Sequence, residues 1–350
     1  MSPFRALKAL LLVAGLGSST GCVRSYASAP PLAFQDLDYA SPGAKEPWPL
    51  KRVALPETAA TYGMARVPEM AYVELPAAPG ARTVVLIHGL GSYLKFWSAQ
   101  FDVLQRAGYH VVAVDLPGYG KSDKPGSFPY TMEAMADAVR ELTRSLGVEH
   151  PILVGHSMGG QTALSYAIRY PDEPSGVVLV SPAGFEKFSQ KEKDWFARVM
   201  STEFIKSAPE YGIRGSVRQA NFQHWRPELE WLIEERVRLA KSPEFDAYAY
   251  ANVRSVRGLA NDDFVRDNLH RITAPSIIIF GEADRLIPNP FLHGGFPRDI
   301  FEYGHARIPG SKLVGLEGCG HTVQLDCPVP FNAALEAFLK SLPAAGAPDP

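Results

Sequence analysis

This sequence contains few cysteines and no large excess of positive or negative charge, and these two features exclude several kinds of protein. Only 3 of the 350 residues are cysteine, which is too few for a small disulfide scaffold or for a zinc module built on several cysteines. Lys and Arg total 35 against 37 Asp and Glu, so the net charge is −2. This balance supplies no basic surface, and we expect no nucleic-acid partner.

Long hydrophobic runs are also missing. The apolar run at 9–16 is too short to cross a bilayer, which takes about 20 residues. It follows Arg5 and Lys8 and leads into small residues that end at Cys22. A basic start, a short apolar stretch and small residues are typical of an export signal. We predict a signal peptide over residues 1–21, with an amphipathic first helix as the alternative.

Cys22 refines the prediction of export. Small residues followed by a cysteine resemble a bacterial lipoprotein signal, in which the cysteine carries the lipid, although Ser19 departs from the leucine-like residue usual there. Cleavage after Ala29 is the other possibility, but Pro30 would then follow the cut. We predict an exported protein that lipid on Cys22 anchors to a membrane, facing the periplasm or the cell exterior. Residues 22–49, rich in Ala, Ser and Pro, are predicted to form a tether, and 343–350 a flexible tail.

Between these ends, short apolar runs alternate with helical patterns. Continuous Val, Ile and Leu runs between Gly and Pro predict strands buried on both faces; they lie at 83–87, 111–114, 152–154, 176–180, 276–280 and 312–316. Helical patterns lie at 96–107, 132–146, 159–170 and 330–342. Two earlier runs, 51–55 and 70–75, could add antiparallel strands at one edge.

This alternation predicts an α/β fold with a mainly parallel, doubly wound sheet. Its core would comprise residues 50–183 and 271–342. Residues 184–270 contain no good strand pattern and are predicted to be an inserted helical cap over the carboxyl edge of the sheet.

A motif for nucleophilic catalysis follows the run at 152–154. Gly155–Gly159 reads Gly-His-Ser-Met-Gly and opens a helical pattern, the strand–turn–helix context in which G-x-S-x-G exposes a nucleophilic serine. We identify Ser157 as the candidate nucleophile. A glycine-rich turn with a capping serine is the structural alternative.

A serine nucleophile needs a base that an acid orients, in the order Ser, Asp or Glu, His for this topology. Asp284 follows the run at 276–280, and His321 follows the run at 312–316. Both therefore fall at the edge where open α/β sheets keep their sites. Glu282 is the alternative acid. No group of residues has metal-ligand spacing, so we expect no metal site.

Acyl transfer also requires donors for the developing oxyanion. The loop after the run at 83–87 reads His-Gly-Leu-Gly, and the residue after the nucleophile is Met158. These positions nominate the backbone N–H groups of Leu90 and Met158 as the oxyanion hole. Cys319 and Cys327 flank His321, and export would permit a disulfide between them, although two buried thiols fit equally well.

These motifs together resemble the α/β-hydrolase superfamily. His-Gly, Asp-x-Pro-Gly-x-Gly-x-Ser, Gly-His-Ser-Met-Gly-Gly, Gly-x-x-Asp-Arg-x-x-Pro and Gly-x-Gly-His occur in that order. The chain is similar to the lipase/esterase-like members with a helical cap, over about Lys51 to Leu342. The resemblance implies Ser157 as nucleophile, Asp284 as acid and His321 as base. The stretch Phe291–Arg307 has no role in this interpretation.

Our leading hypothesis is a serine hydrolase that cleaves small apolar carboxylic esters or acyl substrates through an acyl-enzyme, with no cofactor. Hydrolysis of a C–C bond on the same triad is the alternative within the enzyme class. A non-catalytic, tethered ligand-binding protein is the alternative outside it. Ser157, Asp284 and His321 argue against binding alone, which needs none of them.

Overall fold

The computed structural model describes residues 24–40 and 46–343. Its centre is one eight-stranded sheet whose strands are β1 Leu50–Ala54, β2 Glu69–Leu75, β3 Thr83–Ile87, β4 His110–Val114, β5 Ile152–His156, β6 Gly176–Val180, β7 Ser276–Gly281 and β8 Lys312–Leu316. The strands lie in the order β1-β2-β4-β3-β5-β6-β7-β8. The six strands from β3 to β8 are parallel. β1 and β2 are antiparallel at one edge.

Burial explains why the sequence of the central strands is continuously apolar. Every residue of β3, β5, β6 and β7 is buried. Successive side chains of a strand point to opposite faces of the sheet. Both faces of the sheet are therefore covered, as in parallel sheets generally. The prediction of an α/β fold with a mainly parallel sheet is confirmed.

The helices fall between and after the strands. They are α1 Pro56–Thr61, α2 Ser98–Arg106, α3 Met132–Ser145, α4 Met158–Arg169, α5 Gln190–Val199, α6 Thr202–Lys206, α7 Glu210–Arg214, α8 Trp231–Leu239, α9 Phe245–Asn261, α10 Asp263–Asn268, α11 Pro297–His305, α12 Val323–Asp326 and α13 Pro328–Ser341. Short 3₁₀ turns occupy Phe34–Asp36, Leu94–Trp97, Pro227–Leu229 and Leu269–Arg271, and a π turn occupies Gly215–Gln219. Among these described residues, no helix combines the length and apolar character that a membrane span needs.

Helices α5 to α10 follow β6 and precede β7, and we call residues 184–270 the cap segment. The Tyr248 hydroxyl of α9 donates a hydrogen bond to the Gly91 carbonyl after β3, at 2.9 Å. The Asn221 carbonyl accepts one from the Thr322 amide after β8, at 3.1 Å. The cap segment thus contacts loops at the carboxyl ends of the strands, where the candidate site residues lie.

The prediction that residues 22–49 form a tether is wrong for 24–40, because that stretch packs against the body. Tyr26, Phe34 and Tyr39 are buried. The Tyr39 hydroxyl donates to buried Asp115 at 2.5 Å, and Lys241 Nζ of the cap segment donates to the Tyr26 carbonyl at 2.9 Å. The prediction rested on the Ala- and Pro-rich composition of the segment, and it overlooked these three aromatic residues, which pack into the body. The predicted signal at 1–21, Cys22 and residues 344–350 of the predicted tail lie outside the described residues.

Candidate active site

Ser157 lies in the sharp turn between β5 and α4. Its backbone has φ 53° and ψ −114°, a left-handed φ that non-glycine residues seldom adopt. A Cβ on Gly155 would lie 2.1 Å from the Gly159 carbonyl oxygen, and a Cβ on Gly159 would lie 2.3 Å from that of Ile87. Close backbone approach therefore requires both glycines of the motif. The Ser157 side chain makes no cap hydrogen bond to α4, so the alternative of a helix-capping serine loses support.

Asp284 and His321 are brought together by the turns after β7 and β8. The Nδ1–H of His321 donates to Asp284 Oδ2 at 2.7 Å, and both side chains are buried. The other oxygen, Oδ1, accepts from the amides of Leu286 at 2.7 Å and Ile287 at 3.1 Å. Asp284 is thus fixed from both oxygens, and the hydrogen bond at Nδ1 leaves Nε2 of His321 as the atom with a free lone pair.

The alternative acid, Glu282, has a different partner. Its carboxylate pairs with Arg298 of α11. A Cβ on Gly315 would lie within 1.9 Å of Glu282 Oε1, so the side chain lies over β8 and away from the His321 ring. The geometry therefore favours Asp284 as the acid.

His156 connects the nucleophile turn with the base. Its Nε2–H donates to the His321 carbonyl at 3.2 Å, and the two rings lie 4.9 Å apart between centroids. Burial, followed by the charge of His321, holds the pKa of His156 well below its ordinary value, so this ring is neutral near pH 7. Within the described chain no hydrogen bond joins the Ser157 hydroxyl to the His321 ring. Catalytic hydrogen bonds of this kind often tighten only when substrate binds.

Two features hold the loop that carries His321. Cys319 and Cys327 form a disulfide that encloses it. Buried Asp326 accepts hydrogen bonds from the Gly320 amide at 2.7 Å and from the His224 amide of the cap segment at 2.7 Å. The disulfide and the Gly320 hydrogen bond stabilise the loop internally, and the His224 hydrogen bond joins it to the cap segment.

The turn that carries Leu90 is held through the Gly89 carbonyl. That oxygen accepts from the Ser92 hydroxyl at 2.8 Å, the Ser92 amide at 3.3 Å and His88 Nδ1 at 2.8 Å. The hydrogen of the His88 ring is on Nδ1, because Nε2 accepts from the Leu116 amide at 3.0 Å. Burial lowers the pKa of His88 to about 4, so the ring stays neutral.

A peptide group is planar, so fixing the Gly89 carbonyl also fixes the direction of the Leu90 N–H. Within residues 24–40 and 46–343, the Leu90 N–H has no acceptor. Met158 is the first residue of α4, and the first N–H groups of a helix have no partner within it. Both predicted oxyanion donors are therefore free to bind a ligand oxygen.

The described residues contain one group with ligand atoms close enough to suggest a metal: His224, Asp326 and Cys327. The sulfur of Cys327 is bonded to Cys319, and the oxygens of Asp326 accept backbone amides. A disulfide sulfur is not the thiolate that binds a metal. This group therefore fits a structural role.

Uncharged side chains lie near Met158 and Gly91 on the side of the cap segment. The Tyr119 hydroxyl donates to Ser255 Oγ at 2.8 Å and lies 3.9 Å from Met158 Sδ. Tyr248 and Asn252 approach Gly91 from α9. These side chains are buried and carry no formal charge.

The chain is similar to known proteins in sequence and in fold. Residues 82–328 match the family model described as the alpha/beta hydrolase fold. The chain is 30% identical over 273 residues to the uncharacterized hydrolase YugF of Bacillus subtilis, covering 77% of this chain and 94% of that protein. The chain belongs to the α/β-hydrolase family.

Two further proteins place this α/β hydrolase among enzymes. It is 29% identical over 281 residues to a 2-hydroxy-6-oxononadienedioate/2-hydroxy-6-oxononatrienedioate hydrolase of Paraburkholderia phymatum, covering 74% of this chain and 88% of that protein. It also superimposes on a probable hydrolytic enzyme of Pseudomonas aeruginosa with a TM-score of 0.73 and 27% identity, covering 90% and 99% of the two chains. The family membership supports a hydrolase.

Several residues of this α/β hydrolase that support the site were not predicted from the sequence. His88, Ser92, His156 and Asp326 each hold a backbone group of the Leu90 turn or of the His321 loop. His88 and His156 stand inside the motifs that were singled out. Asp326 lies five residues after His321 and has no sequence signal of its own.

Proposed function

We propose that this α/β hydrolase is a serine hydrolase that cleaves carboxylic esters through an acyl-enzyme. The observation that carries the proposal is the buried hydrogen bond of 2.7 Å between His321 and Asp284, at the sheet edge where Ser157 holds its left-handed turn. Binding alone would need neither feature, so we set aside the ligand-binding alternative.

The proposed reaction uses each group in turn. Ser157 Oγ attacks the ester carbonyl carbon while Nε2 of His321 takes the hydroxyl proton. The N–H groups of Leu90 and Met158 stabilise the oxyanion. The tetrahedral intermediate then expels the alcohol, which receives the proton from His321. Water repeats the sequence to release the acid and restore Ser157.

The substrate class is chosen from the charge of the side chains near the two predicted oxyanion donors. Tyr119, Tyr248, Asn252 and Ser255 carry no formal charge, which is consistent with a small apolar, uncharged ester. The Paraburkholderia phymatum relative is named for the hydrolysis of a dioate, which carries two carboxylates and would favour cationic side chains at the site. C–C cleavage remains the second candidate because the same triad can serve it.

A substrate panel tests both candidates. We would measure turnover of p-nitrophenyl esters of increasing acyl length and of a 2-hydroxy-6-oxodienoate. Ser157→Ala should lower ester turnover by about 10⁴–10⁶-fold, while Ser145→Ala, a serine on α3, should leave it unchanged. A Ser157→Ala protein that kept a tenth of the rate would overturn the nucleophile, and faster cleavage of the dienoate than of every ester would favour C–C hydrolysis.

We propose separately that the protein is exported and carries lipid on Cys22. Only Val23 separates Cys22 from Arg24, and the segment from Arg24 onward lies on the cap segment, where the Arg24 carbonyl accepts from Arg214. A lipid on Cys22 would therefore hold the body close to the membrane. Mass spectrometry of the mature N-terminus tests this, since an unmodified N-terminus downstream of Cys22 would refute lipidation.

A further inference from the structure

The turn that carries the Leu90 donor has a second fixed point, which comes from the cap segment. The Ser92 amide closes the turn onto the Gly89 carbonyl, and Gly91 occupies it with φ 72°, a conformation that suits glycine. The Gly91 carbonyl accepts a hydrogen bond of 2.9 Å from the Tyr248 hydroxyl. The core thus holds the Gly89 carbonyl, and α9 holds the Gly91 carbonyl two residues further along.

Tyr248 is itself firmly placed. Its side chain is buried, and its ring lies 5.2 Å from the Phe34 ring and 5.3 Å from the Phe245 ring between centroids. The Tyr119 ring packs edge-on against it at 6.0 Å. Because α9, the core and the N-terminal stretch all contact this ring, its hydroxyl has little freedom to leave Gly91.

A second contact between the cap segment and the same loop lies four residues further along. Lys95 Nζ forms an ion pair of 2.7 Å with Glu235 of α8, and the side chains are only 7% and 9% exposed. The Tyr93 hydroxyl donates to the same carboxylate. The segment after β3 is therefore attached to the cap segment at Gly91 and again at Tyr93 and Lys95.

We propose that Tyr248 is a positioning residue for the oxyanion hole. By holding the Gly91 carbonyl it keeps the turn in the conformation that points the Leu90 N–H at the substrate oxygen. The substitution of one cap tyrosine would thus change the chemical step without removing any group that touches the reacting atoms. This inference rests on the proposed ester hydrolysis.

The test is Tyr248→Phe, which removes the hydroxyl and keeps the packed ring. Tyr250→Phe is the matched control, because Tyr250 lies on the same helix and its hydroxyl donates to the Gly126 carbonyl at 3.2 Å, in another loop. Both proteins would be assayed for kcat and KM on the best p-nitrophenyl ester, for the Ki of a trifluoromethyl ketone, and for Tm. Such a ketone forms a tetrahedral adduct whose oxyanion needs the same donors.

We expect Tyr248→Phe to lower kcat about tenfold, less than the loss of an oxyanion donor itself, with KM changed less than twofold and Ki raised in parallel. Tyr250→Phe should match the wild type in kcat and Ki.

Equal kcat and Ki in Tyr248→Phe and the wild type would overturn the inference while leaving the ester activity established. If Tyr248→Phe unfolds, Tyr248→Met, which also lacks the hydroxyl, replaces it, and unchanged kcat and Ki in that variant overturn the inference. A wild type without Ser157-dependent ester turnover would overturn both this inference and the proposed function.

Discussion

Ser157 keeps a backbone conformation that costs on the order of 1–3 kcal/mol. Four backbone hydrogen bonds hold it there. The Ser157 amide donates to the Val180 carbonyl at 2.9 Å. The Ser157 carbonyl accepts from the amides of Gly160 at 2.9 Å, Gln161 at 3.1 Å and Ala183 at 3.0 Å. Hydrogen bonds from β6 and α4 therefore hold the turn, and they stabilise the strained backbone of Ser157.

The turn tolerates no side chain at Gly159. In Gly159→Ala, the new Cβ would lie 2.3 Å from the Ile87 carbonyl oxygen, so α4 must shift away from β3. Overpacking of this kind costs roughly 1–3 kcal/mol. We expect a lower Tm and at least a tenfold loss of ester turnover, measured on purified protein.

Gly126→Ala is the control for this substitution, because a Cβ there meets nothing within 4 Å. It should leave Tm and turnover within error of the wild type. If Gly159→Ala behaved like Gly126→Ala, the close approach at the nucleophile turn would not matter for stability or catalysis.

The residues proposed as nucleophile, acid and base could be singled out from the sequence because each lies just after a strand in a short motif. Tyr248 could not be predicted, since it is 157 positions away from Gly91, the residue that it contacts. Whether Cys319 and Cys327 form a disulfide was likewise open, because it depends on how the His321 loop folds. Contacts between distant segments leave no local pattern.

At the scale of elements, one imidazole joins the beginning of the cap segment, including α5, to the loop after β7. His293 Nε2 contacts Glu186 at 2.8 Å, and Nδ1 contacts Glu192 of α5 at 3.0 Å. Burial acts to lower the pKa of His293, but the hydrogen bonds and charges of the two carboxylates outweigh it, so the pKa is raised. The stretch Phe291–Arg307, which had no role in the sequence analysis, supplies this contact and helix α11.

This contact predicts a pH-dependent stability. A histidine whose pKa is raised in the folded state stabilises the fold fully below its unfolded pKa of about 6.5, and loses that stabilisation as pH rises through the folded pKa. His293→Gln should therefore cost roughly 1 kcal/mol at pH 5.5, and clearly less at pH 9. Urea unfolding of both proteins at the two pH values measures this, and an equal cost at both would contradict the assigned charge state of His293.

The strands were easier to predict than the cap segment. The predicted runs matched β3, β6 and β8 residue for residue. In β3 and β6 full burial leaves an unbroken apolar pattern. Helices α6 and α7 have only five residues each, too few for a helical period to be recognised. Their positions depend on packing against α9 and on the N-terminal stretch.

At the scale of the whole molecule, residues 24–40 pack against both the cap segment and the core. Tyr26 packs with Ile213, Ile233 and Val237 of the cap segment. Phe34 packs 5.2 Å from the Tyr248 ring, with Lys124 Nζ 4.2 Å above it. This stretch therefore belongs to the folded body and lies against the residue that we propose to position the oxyanion hole.

Phe34→Ala tests that arrangement. Phe34 is fully buried, and the loss of a buried phenylalanine typically costs about 3–5 kcal/mol. Phe291→Ala is the matched control, because Phe291 is 62% exposed and substitutions at such positions usually change stability by less than about 0.5 kcal/mol. Denaturant unfolding compares the two. Equal stability of the two variants would mean that residues 24–40 are a tether after all.

The central claim is that Ser157 is the nucleophile of a serine hydrolase, and covalent labelling tests it most directly. The intact protein would be treated with a fluorophosphonate and digested, and the adduct located by mass spectrometry. The account predicts a single adduct on Ser157, absent in Ser157→Ala and formed much more slowly in His321→Ala. An adduct on another residue, or a wild-type protein that is not labelled at all, would contradict it.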